Sequence, residues 1–533
     1  MFYIIDQNKL KYFLYISLFS ISGYAREIIV TPKDYLSFLT QLHPGDTLVL
    51  SKGNYLSNLT LKDIQGTIAE PIVIIGEGLG TSFEAQSCCN TVSLTRCAHL
   101  ILSNFQLNGN NKFVDAVKAE GTSGNWAHHI TIEKLHIINY GYDQQAVGIS
   151  TKCPAWNWII RSNKIIGAGT GMYLGNSPGN MPFVNGIIEN NLIQNTIGYN
   201  IEIKHQLDGV RDVFPETQVH GKTIIRYNVF TKDKNSSTGG NARPNLLVGG
   251  FPSSGWGSLD YYEIYGNLFY NNPVEALFQG TGNINLYANI FINHFDPSGF
   301  RTVYITPQNG VNPQDIKVFH NTIWSATSTG GLRLFNPNPN YKQYCYANVV
   351  LSTQAISNFT SLTDNVTDSY DNANKYFLSA STNLSDLDLY PRAGQLTGNI
   401  TANDFFIHQM DWQKDFNQEN YDWTFRGAYS GCCINKGWKL SLDTIPTQKR
   451  NPTITFHPDQ IKFLLYPNPF NNDISMDSEF EGLALVYDES GKLISSFQIS
   501  KGLHTINLEH LSPGIYTLSL QSEKGTIHRK IIK

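Results

Sequence analysis

Polar and apolar residues follow a recurring phrase between residues 100 and 325. The phrase is two residues, an Asn, one more residue and then a large side chain, most often Phe or Ile. Its seven copies place the Asn at Asn104, Asn163, Asn191, Asn228, Asn267, Asn289 and Asn321. An eighth copy carries Leu135 in place of the Asn, and successive copies are 22 to 39 residues apart. A repeat of this length predicts stacked structural units and not a globular fold.

Two short strands accompany each phrase. One β-branched run precedes the Asn, as in residues 130–132, 158–160, 186–188 and 223–225. A second run follows about half a repeat later, as in residues 171–174, 199–204, 245–248, 275–278 and 301–305. Both runs are too short for helices, and Gly, Pro and Asn cluster between them as turns require. The pattern predicts an all-β, right-handed parallel β-helix, in which each coil buries its apolar side against its neighbours.

The fixed Asn favours this fold over a β-sandwich, in which turn signals recur every 8–12 residues or so. A sandwich does not need one Asn in a constant frame. In a β-helix we expect the Asn at a turn, where it tolerates a left-handed backbone conformation. Its side-chain amide can then bond the equivalent Asn in the coils above and below.

The N-terminal residues predict an exported chain and a capped solenoid. Lys9 and Lys11 precede a short apolar stretch, residues 12–21, and residues 23–25 form a small-x-small cleavage site. We expect a signal peptide over residues 1–25, with a buried N-terminal strand as the alternative, and no other segment is apolar enough to cross a membrane. Residues 31–42 predict a short amphipathic helix that covers the open end of the solenoid.

The regular repeat ends near Leu334, where the composition changes. Residues 337–395 are rich in Asn, Ser, Thr and Asp, so we expect irregular last coils there, with closing turns at residues 386–391 and 426–431. A polar segment punctuated by prolines follows and predicts a linker. The predicted domains are the β-helix with its cap helix, the linker and a C-terminal domain, at residues 26–445, 446–460 and 461–533.

The C-terminal residues predict a small β-sandwich of about 75 residues. Its predicted strands are residues 483–487, 492–499, 504–508 and 515–520. The segment resembles the C-terminal sorting domain of type IX secretion substrates in Bacteroidetes-type bacteria, through Tyr-Pro-Asn-Pro at 466–469, Leu-Ser-Pro-Gly-Ile-Tyr-Thr-Leu at 511–518 and a basic end at 530–533. The resemblance implies contact with the type IX secretion machinery, passage through the outer membrane, removal of the tail, and either release or surface attachment. An ordinary β-sandwich binding module is the alternative.

Charge and cysteine content narrow the function. Only 15% of the residues are charged and the net charge is −4, which gives no reason to expect a nucleic-acid partner. The seven cysteines are compatible with export, and their odd number leaves at least one thiol unpaired or intermolecular. No Cys-x-x-Cys or Cys/His spacing indicates zinc, and the disulfide connectivity stays open.

The strand at residues 200–204 carries the candidate chemistry. Ile201 and Ile203 should face the core, so Asn200, Glu202 and Lys204 should share the outer face. Aligning successive coils places Gly175 and Gly249 beside Lys204, with Tyr173, Leu247, Leu277 and Tyr304 in the adjacent row. The long loops at residues 206–222 and 231–244 follow and carry Arg211 and Arg243. We expect an acidic polysaccharide to bind here, with contacts from Glu202, His205, Tyr173, Arg211 and Tyr304.

This region resembles the β-helical polysaccharide lyases of the chondroitinase B and alginate lyase type. The resemblance implies that Lys204 is the general base, and Arg226-Tyr227-Asn228-Val229-Phe230 matches the coil that follows it. The family's assisting Arg is replaced by residues 247–250, so Arg226 or Arg243 would take that role. The positions of the family's calcium ligands fall on Ile197 and Tyr199, so the usual calcium ligands are not matched, and the calcium dependence stays open. The implied reaction is β-elimination on a uronic acid.

Three other interpretations stay open. Lys204 and Glu202 could form an exposed ion pair with no catalytic role. Hydrolysis by paired carboxylates would have to use Glu202 and Glu275, which are isolated in the sequence. A non-catalytic adhesin or glycan-binding scaffold could instead stack sugar rings on aromatic residues, for which the candidates are Tyr173, Trp256, Tyr261, Tyr262, Tyr304 and Trp324.

Overall fold

The computed structural model describes residues 25–237, 239–297, 299–398, 409–446, 463–478, 481–488, 493–522 and 525–533. The predicted signal peptide, apart from its last residue, and nearly all of the predicted linker lie outside these residues, so both stay predictions. Within the described residues, one short α-helix, Ala373–Tyr376, accompanies a chain of strands, turns and 3₁₀ turns. No helix of the described residues is long and apolar enough to cross a membrane.

The solenoid is a right-handed parallel β-helix whose coils contribute strands to three parallel sheets. The strands of the first sheet are Glu27–Val30, Thr47–Leu50, Ile72–Glu84, Cys97–Asn108, Ala127–Glu133, Ala155–Trp156, Ile159–Arg161, Phe183–Val184, Ile187–Glu189, Lys222–Arg226, Tyr261–Tyr265, Ile284–Tyr287, Ile316–Phe319, Gln343–Tyr346 and Ser361–Thr363. The second sheet continues the long strands Ile72–Glu84 and Cys97–Asn108, and its other strands are Gly53–Tyr55, His136–Ile138, Lys164–Ile166, Leu192–Gln194, Val229–Thr231, Leu268–Tyr270, Ile290–Asn293, Thr322–Ser325, Val349–Leu351 and Val366–Asp368. The third sheet comprises Leu59–Lys62, Val92–Thr95, Val117–Ala119, Val147–Thr151, Thr170–Leu174, Ile201–Ile203, Leu246–Val248, Phe278–Gly280, Val303–Ile305, Leu332–Leu334 and Ile356–Ser357.

A ladder of buried asparagines runs along the turn between the first and second sheets. Each side-chain amide donates to the Oδ1 of the next Asn at 2.9–3.0 Å, and the ladder members are Asn163, Asn191, Asn228, Asn267, Asn289, Asn321, Asn348 and Asn365. The predicted Asn–Asn bonding is therefore confirmed, and the ladder continues two coils beyond the last phrase that the sequence pattern identified. Asn104 bonds the Gly76 carbonyl instead.

The left-handed conformation of this turn lies one residue earlier than we expected. Ser162, Tyr227 and Ala288, which precede ladder asparagines, have φ of 57°, 55° and 50°. The prediction that the ladder Asn itself takes this conformation is wrong for these coils. The preceding residue turns the chain, and the Asn side chain then points into the solenoid, where its neighbours satisfy its polar groups.

The predicted cap helix at residues 31–42 is replaced by two 3₁₀ turns, Tyr35–Ser37 and Leu39–Gln41. Tyr35 and Leu39 are buried against the solenoid core, so the segment still covers its open end. Asp34 accepts hydrogen bonds from the Thr31 N–H and O–H groups, which closes the chain into a turn where a helix was expected to begin. So short a segment is marginal as a helix, and its packing decides its conformation.

The coils extend to Asp368, so the further coils that we expected after Leu334 are present in the first part of residues 337–395. The next residues form the 3₁₀ turn Tyr370–Asn372, the short helix, the 3₁₀ turn Leu384–Asp386 and an antiparallel pair of strands, Phe377–Ser379 and Asp388–Pro391. Residues 409–446 then run back along the outer side of the solenoid as a segment that we call the return segment. Lys164 pairs with Asp443 at 2.9 Å, and Asn190 donates to the Ile445 carbonyl. Residues 386–391 and 426–431 are thus parts of a cover on the solenoid and do not close its last coil.

The tail forms two antiparallel sheets around its own core. One contains Phe463–Tyr466, Asp473–Ser478 and Gly502–Asn507, and the other contains Gly482–Tyr487, Leu493–Ile499, Ile515–Ser522 and Gly525–Ile532. The predicted sandwich is confirmed.

Four of the seven cysteines form two vicinal disulfides, Cys88–Cys89 and Cys432–Cys433. Cys97, Cys153 and Cys345 are free and buried. We predicted at least one unpaired thiol, and the solenoid contains three, all of them buried.

Candidate functional site

A cavity of about 470 Å³ lies on the outer face of the third sheet, between its strands and the loops that follow them. Its charged lining residues are Asp115, Lys118, Lys152, Glu202, Lys204 and Arg243, and its aromatic ones are Phe113, Tyr173 and Tyr199. Four cationic side chains therefore face two carboxylates. This arrangement suits an anionic ligand that also offers a face for aromatic stacking.

Lys204 lies where the sequence placed it, at the outer end of its strand. Ile201 and Ile203 are fully buried in the core, as predicted. A Cβ on Gly175 would lie 3.1 Å from the Lys204 Cβ, and one on Gly249 would lie 2.8 Å from the Lys204 carbonyl carbon. The two flanking glycines are confirmed, and they leave the Lys204 side chain room above the sheet.

Glu202 holds Lys204 in a largely buried ion pair. The Lys204 Nζ–Glu202 Oε1 distance is 2.7 Å, and the side chains are 16% and 5% exposed. The pair is therefore not the exposed one that the sequence suggested. Asn200 does not share its face: the strand begins only at Ile201, and Asn200 belongs to the buried turn, where its amide bonds the Ile193 carbonyl.

Lys152 is the lysine that the sequence analysis missed. Ser150 pairs with Tyr173 in the sheet, so Lys152 lies across Gly175 from Lys204. Its Nζ lies 3.2 Å from the centroid of the Tyr173 ring. Burial lowers the pKa of Lys152 to about 8, although the nearby Asp115 opposes this shift. Aligning the strand at residues 147–151 with those after it would have revealed this residue.

Asp115 and Lys118 form the second ion pair of the cavity, with an Oδ2–Nζ distance of 3.2 Å. Burial raises the pKa of Asp115, and the Lys118 charge opposes the effect. Asp115 also accepts a hydrogen bond from the Val147 N–H, which fixes it at the start of the third-sheet strand. Lys118 is thus neutralised locally, whereas Lys152 has no ion-pair partner among the described residues.

Arg243 reaches the cavity from the loop at residues 231–244. The loop is anchored by Lys232, whose fully buried Nζ donates to the carbonyls of Gly198 and Arg243 at 2.6 and 2.8 Å. Desolvation lowers the pKa of Lys232 well below its ordinary value. The Arg243 guanidinium lies 5.8 Å from the Tyr199 ring centroid. Arg243 is therefore the arginine that lines the same cavity as the predicted base, Lys204.

Arg226 is not brought to Lys204. It lies in the first sheet, where it pairs with Glu189 at 2.7 Å and donates to the Tyr265 hydroxyl at 2.8 Å. Asp411, from the return segment, is a further partner at 3.4 Å. Its predicted role beside the base does not fit this position, because the match to the lyase coil concerns a different face of the solenoid.

Two other predicted substrate contacts serve the loop at residues 206–222. Arg211 is buried and donates to the Gln206 side chain and to Asp260. His205 bonds the Asn309 side chain at 2.9 Å, and burial lowers its pKa. Neither lines the cavity, and Arg211 has a structural role inside the loop.

Only part of the predicted row beside Lys204, which comprised Tyr173, Leu247, Leu277 and Tyr304, lies at the cavity. Glu202 pairs with Tyr173 on one side and Leu247 on the other, but the next residues along the row are Gln279 and Tyr304. Leu277 is wrong for this row because its strand begins at Phe278, which leaves Leu277 in the core. Tyr304 lies three coils from Glu202, about 14 Å at ordinary strand spacing, so it is outside the cavity.

The lining residues do not fit a calcium site. Calcium takes six to eight oxygen ligands, mostly carboxylates and carbonyls. Here each cavity carboxylate is already paired with a lysine, and Lys152 and Arg243 add positive charge.

Residues 464–533 match the family model of the secretion system C-terminal sorting domain. The tail is therefore a type IX sorting domain, and the chain is exported to the cell surface or the extracellular space.

The chain is also similar to solved structures. One is the A-module of mannuronan C-5 epimerase AlgE4 from Azotobacter vinelandii, at 16% identity and a TM-score of 0.39, covering 61% of this chain and 88% of that chain. Another is an alginate lyase from Paenibacillus sp. str. FPU-7, at 16% identity and a TM-score of 0.39, covering 64% and 99%. A third is pectate lyase Pel9A, at 12% identity and a TM-score of 0.39, covering 76% and 96%. The search of curated proteins returned no match.

Proposed function

We propose that the cavity binds a uronate-containing polysaccharide and cleaves it by β-elimination. The observation that carries the proposal is the pair of lysines on either side of Gly175, above the Tyr173 ring and near Arg243. A polyuronate offers a carboxylate on each sugar for these cations, and a pyranose face for the aromatic rings.

Elimination needs a cation that binds the substrate carboxylate and a base that removes a proton. The two lysines differ in pairing and in pKa, and each suits one of these tasks. One cation must hold the substrate carboxylate, so that the adjacent C5 proton becomes acidic enough to remove. A second group must be an unprotonated base near neutral pH. Lys204 is paired with Glu202 at 2.7 Å, whereas burial lowers the pKa of Lys152, which is unpaired among the described residues, to about 8. Lys152 therefore suits the base, and Lys204 suits the carboxylate contact.

The proposed elimination uses three groups of the cavity: a base, the cations that contact the carboxylate, and a proton donor. Lys152 takes the C5 proton, and the electron pair left on C5 is stabilised through the carboxylate that Lys204 and Arg243 contact. The C4–O bond then breaks, a C4–C5 double bond forms, and the glycosidic oxygen leaves with the electron pair of the broken bond. Tyr173, whose pKa is raised by burial, keeps its proton and can donate it to this oxygen.

The assignment of the base to Lys204, which the resemblance implies, remains a competing prediction. Arginine keeps the charge of a lysine but cannot act as a base near neutral pH. If Lys204 only holds the carboxylate, Lys204→Arg keeps part of the activity and Lys152→Arg abolishes it. The opposite pattern would return the base to Lys204.

A glycan-binding role without cleavage is the second candidate. The observation that favours it is the Lys204–Glu202 pair, which can orient a cation for binding with no proton transfer. Hydrolysis is less well supported, although burial raises the pKa of Glu275 to about 7, as a general acid requires. Glu275 does not line the cavity, and its carboxylate accepts a hydrogen bond from the Gln279 side chain.

The test is an ultraviolet assay for unsaturated uronate with the purified protein on alginate, pectate, chondroitin and heparin, with and without calcium. Lys204→Ala and Lys152→Ala are compared with Lys317→Ala. Lys317 pairs with Asp315 two residues away at 2.6 Å and is also 16% exposed, which makes it a matched control in the first sheet. Rising absorbance that both cavity variants lose and the control keeps supports the proposal. Binding without any absorbance change supports the non-catalytic candidate.

A further inference from the structure

Three histidines converge on the outer side of the first sheet, and none of them lines the cavity. His99 lies in the strand Cys97–Asn108, while His128 and His129 lie in its neighbour Ala127–Glu133. His99 and His129 have φ of 49° and 51°, so both strands kink at the same level. The kink breaks the alternation of side chains, and adjacent His128 and His129 therefore reach one cluster.

The nitrogen atoms of this cluster lie at distances that a metal ion could bridge. One ring nitrogen from each histidine lies within 4.8 Å of the others, and the Nδ1 atoms of His128 and His129 are 2.8 Å apart. Glu216 brings its Oε2 to 3.8 Å from the His129 Nδ1. Ligand nitrogens around a tetrahedral Zn²⁺ lie about 2.0–2.1 Å from the metal and hence about 3.3 Å from one another. A tetrahedral site would therefore need small side-chain rotations that bring the most distant of these nitrogens closer together.

The surrounding residues orient these ligands. The Trp156 Nε1–H donates to the Glu216 Oε2 at 2.8 Å. The Asn157 amide lies 3.0 Å from the Nε2 of His129, and with its oxygen turned inward it would accept the Nε2–H and leave Nδ1 free for a metal. Stacking on Trp156 explains the ring plane of His128, but it does not explain why a ring nitrogen from each of the three imidazoles lies so close to the other two, with Glu216 beside His129.

We propose that His99, His128, His129 and Glu216 form a binding site for a divalent transition metal, of which Zn²⁺ fits the ligand set best. Imidazole nitrogens with one carboxylate are ligands that Zn²⁺ accepts in tetrahedral geometry. Each neutral imidazole offers one unprotonated ring nitrogen to a metal.

The bound metal would join two parts of the chain. The histidines belong to the solenoid, whereas Glu216 belongs to the 3₁₀ turn Pro215–Thr217 in the loop at residues 206–222. That loop directly follows the strand that carries Lys204. The metal would therefore hold the loop against the solenoid, and this role does not depend on the reaction in the cavity.

Isothermal titration of the chelator-treated full protein with Zn²⁺ tests the site, together with the visible spectrum of the Co²⁺ form. Asn is the appropriate replacement, because the next two coils carry Asn157 and Asn185 at the same kink, with φ of 57° and 54°. His99→Asn and His129→Asn should therefore fold. His136→Asn is the control, since His136 lies in the second sheet and bonds Gln106.

The expected result is one Zn²⁺ per chain, an intense tetrahedral Co²⁺ spectrum, and at least a tenfold loss of affinity in His99→Asn, His129→Asn and Glu216→Gln, with the control unchanged. Zn²⁺ should also slow proteolysis of the loop at residues 206–222 in the wild-type protein and not in Glu216→Gln. Absence of binding, or binding that all three variants retain, would overturn the proposal. Loss in the histidine variants with full binding by Glu216→Gln would overturn the loop attachment.

Discussion

The buried Lys152 side chain should lower the stability of the folded protein, and its replacement should therefore raise the free energy of unfolding. The pKa of Lys152 falls from 10.5 to about 8 on folding, because burial disfavours the charged form. At about 1.36 kcal/mol per pKa unit, this difference corresponds to about 3 kcal/mol at neutral pH. Its contact with the Tyr173 ring returns about 1 kcal/mol. Lys152→Met should therefore raise the free energy of unfolding by about 2 kcal/mol near neutral pH.

The pH dependence has a definite sign. Between about pH 8 and 10.5 the unfolded chain holds a proton on Lys152 that the folded chain has released. Wild-type stability therefore rises with pH through this window, and the Lys152→Met protein lacks that rise. The difference in unfolding free energy between the wild-type and Lys152→Met proteins should be largest below pH 8 and should disappear above pH 10.5.

Lys118→Met is the matched comparison, because Lys118 lines the same cavity with an ion-pair partner. Its removal leaves the Asp115 carboxylate, 7% exposed, without the cation 3.2 Å away. An unpaired buried charge destabilises a fold, here by about 1–3 kcal/mol. Urea unfolding at neutral and high pH, followed by intrinsic fluorescence with equal m-values, measures both variants. Changes of the same sign for the two variants at neutral pH would refute the electrostatic description of the cavity.

Three further changes test other parts of the structure. Asn267→Ala should lower the free energy of unfolding by about 3 kcal/mol, because the buried amides above and below it lose partners. Asn365→Ala, at the half-buried end of the ladder, should lower it by only about 1 kcal/mol. Equal losses in urea titrations would contradict the stabilising role of the ladder. Arg226→Met should cost about 3 kcal/mol by the same measurement, since it leaves Glu189 buried without its cation, and a neutral result would mean that the pair contributes nothing. Gly175→Ala should lower kcat/KM in the absorbance assay, because its φ is 90° and the new Cβ would press on Lys204; unchanged kinetics would place the substrate elsewhere.

Much of the fold could be predicted because its determinants are local and repeated. The Asn phrase fixes the turn, and alternation in residues 201–204 fixes which side chains enter the core, whereas Asn200 was wrongly assigned to the outer face. Gly175 and Gly249 could be placed beside Lys204 from register alone. The phrase failed at Leu135, which replaces the Asn, and at Asn104, which bonds the Gly76 carbonyl and not another Asn. It also failed at the ends of the solenoid, where the cap and the return segment pack without a repeat.

The candidate site was harder to predict because its members are defined by tertiary contacts. Arg226 was assigned from a motif, but the side chain is engaged by Asp411, which lies 185 residues away in sequence. Lys152 has no motif, and only its position across Gly175 from Lys204 gives it a role. The histidine cluster depends on two backbone kinks, at His99 and His129, that no sequence pattern predicts.

The most direct test of the elimination proposal is the fate of water during cleavage. The protein would digest the responding polyuronate in water enriched in heavy oxygen, and mass spectrometry would identify the new chain ends. Elimination adds no water, so we expect products that carry an unsaturated uronate end and no heavy oxygen, and that disappear with Lys152→Arg. Incorporation of one heavy oxygen per cleavage would identify a hydrolase and contradict the account, and binding without cleavage of any polyuronate would contradict it as well.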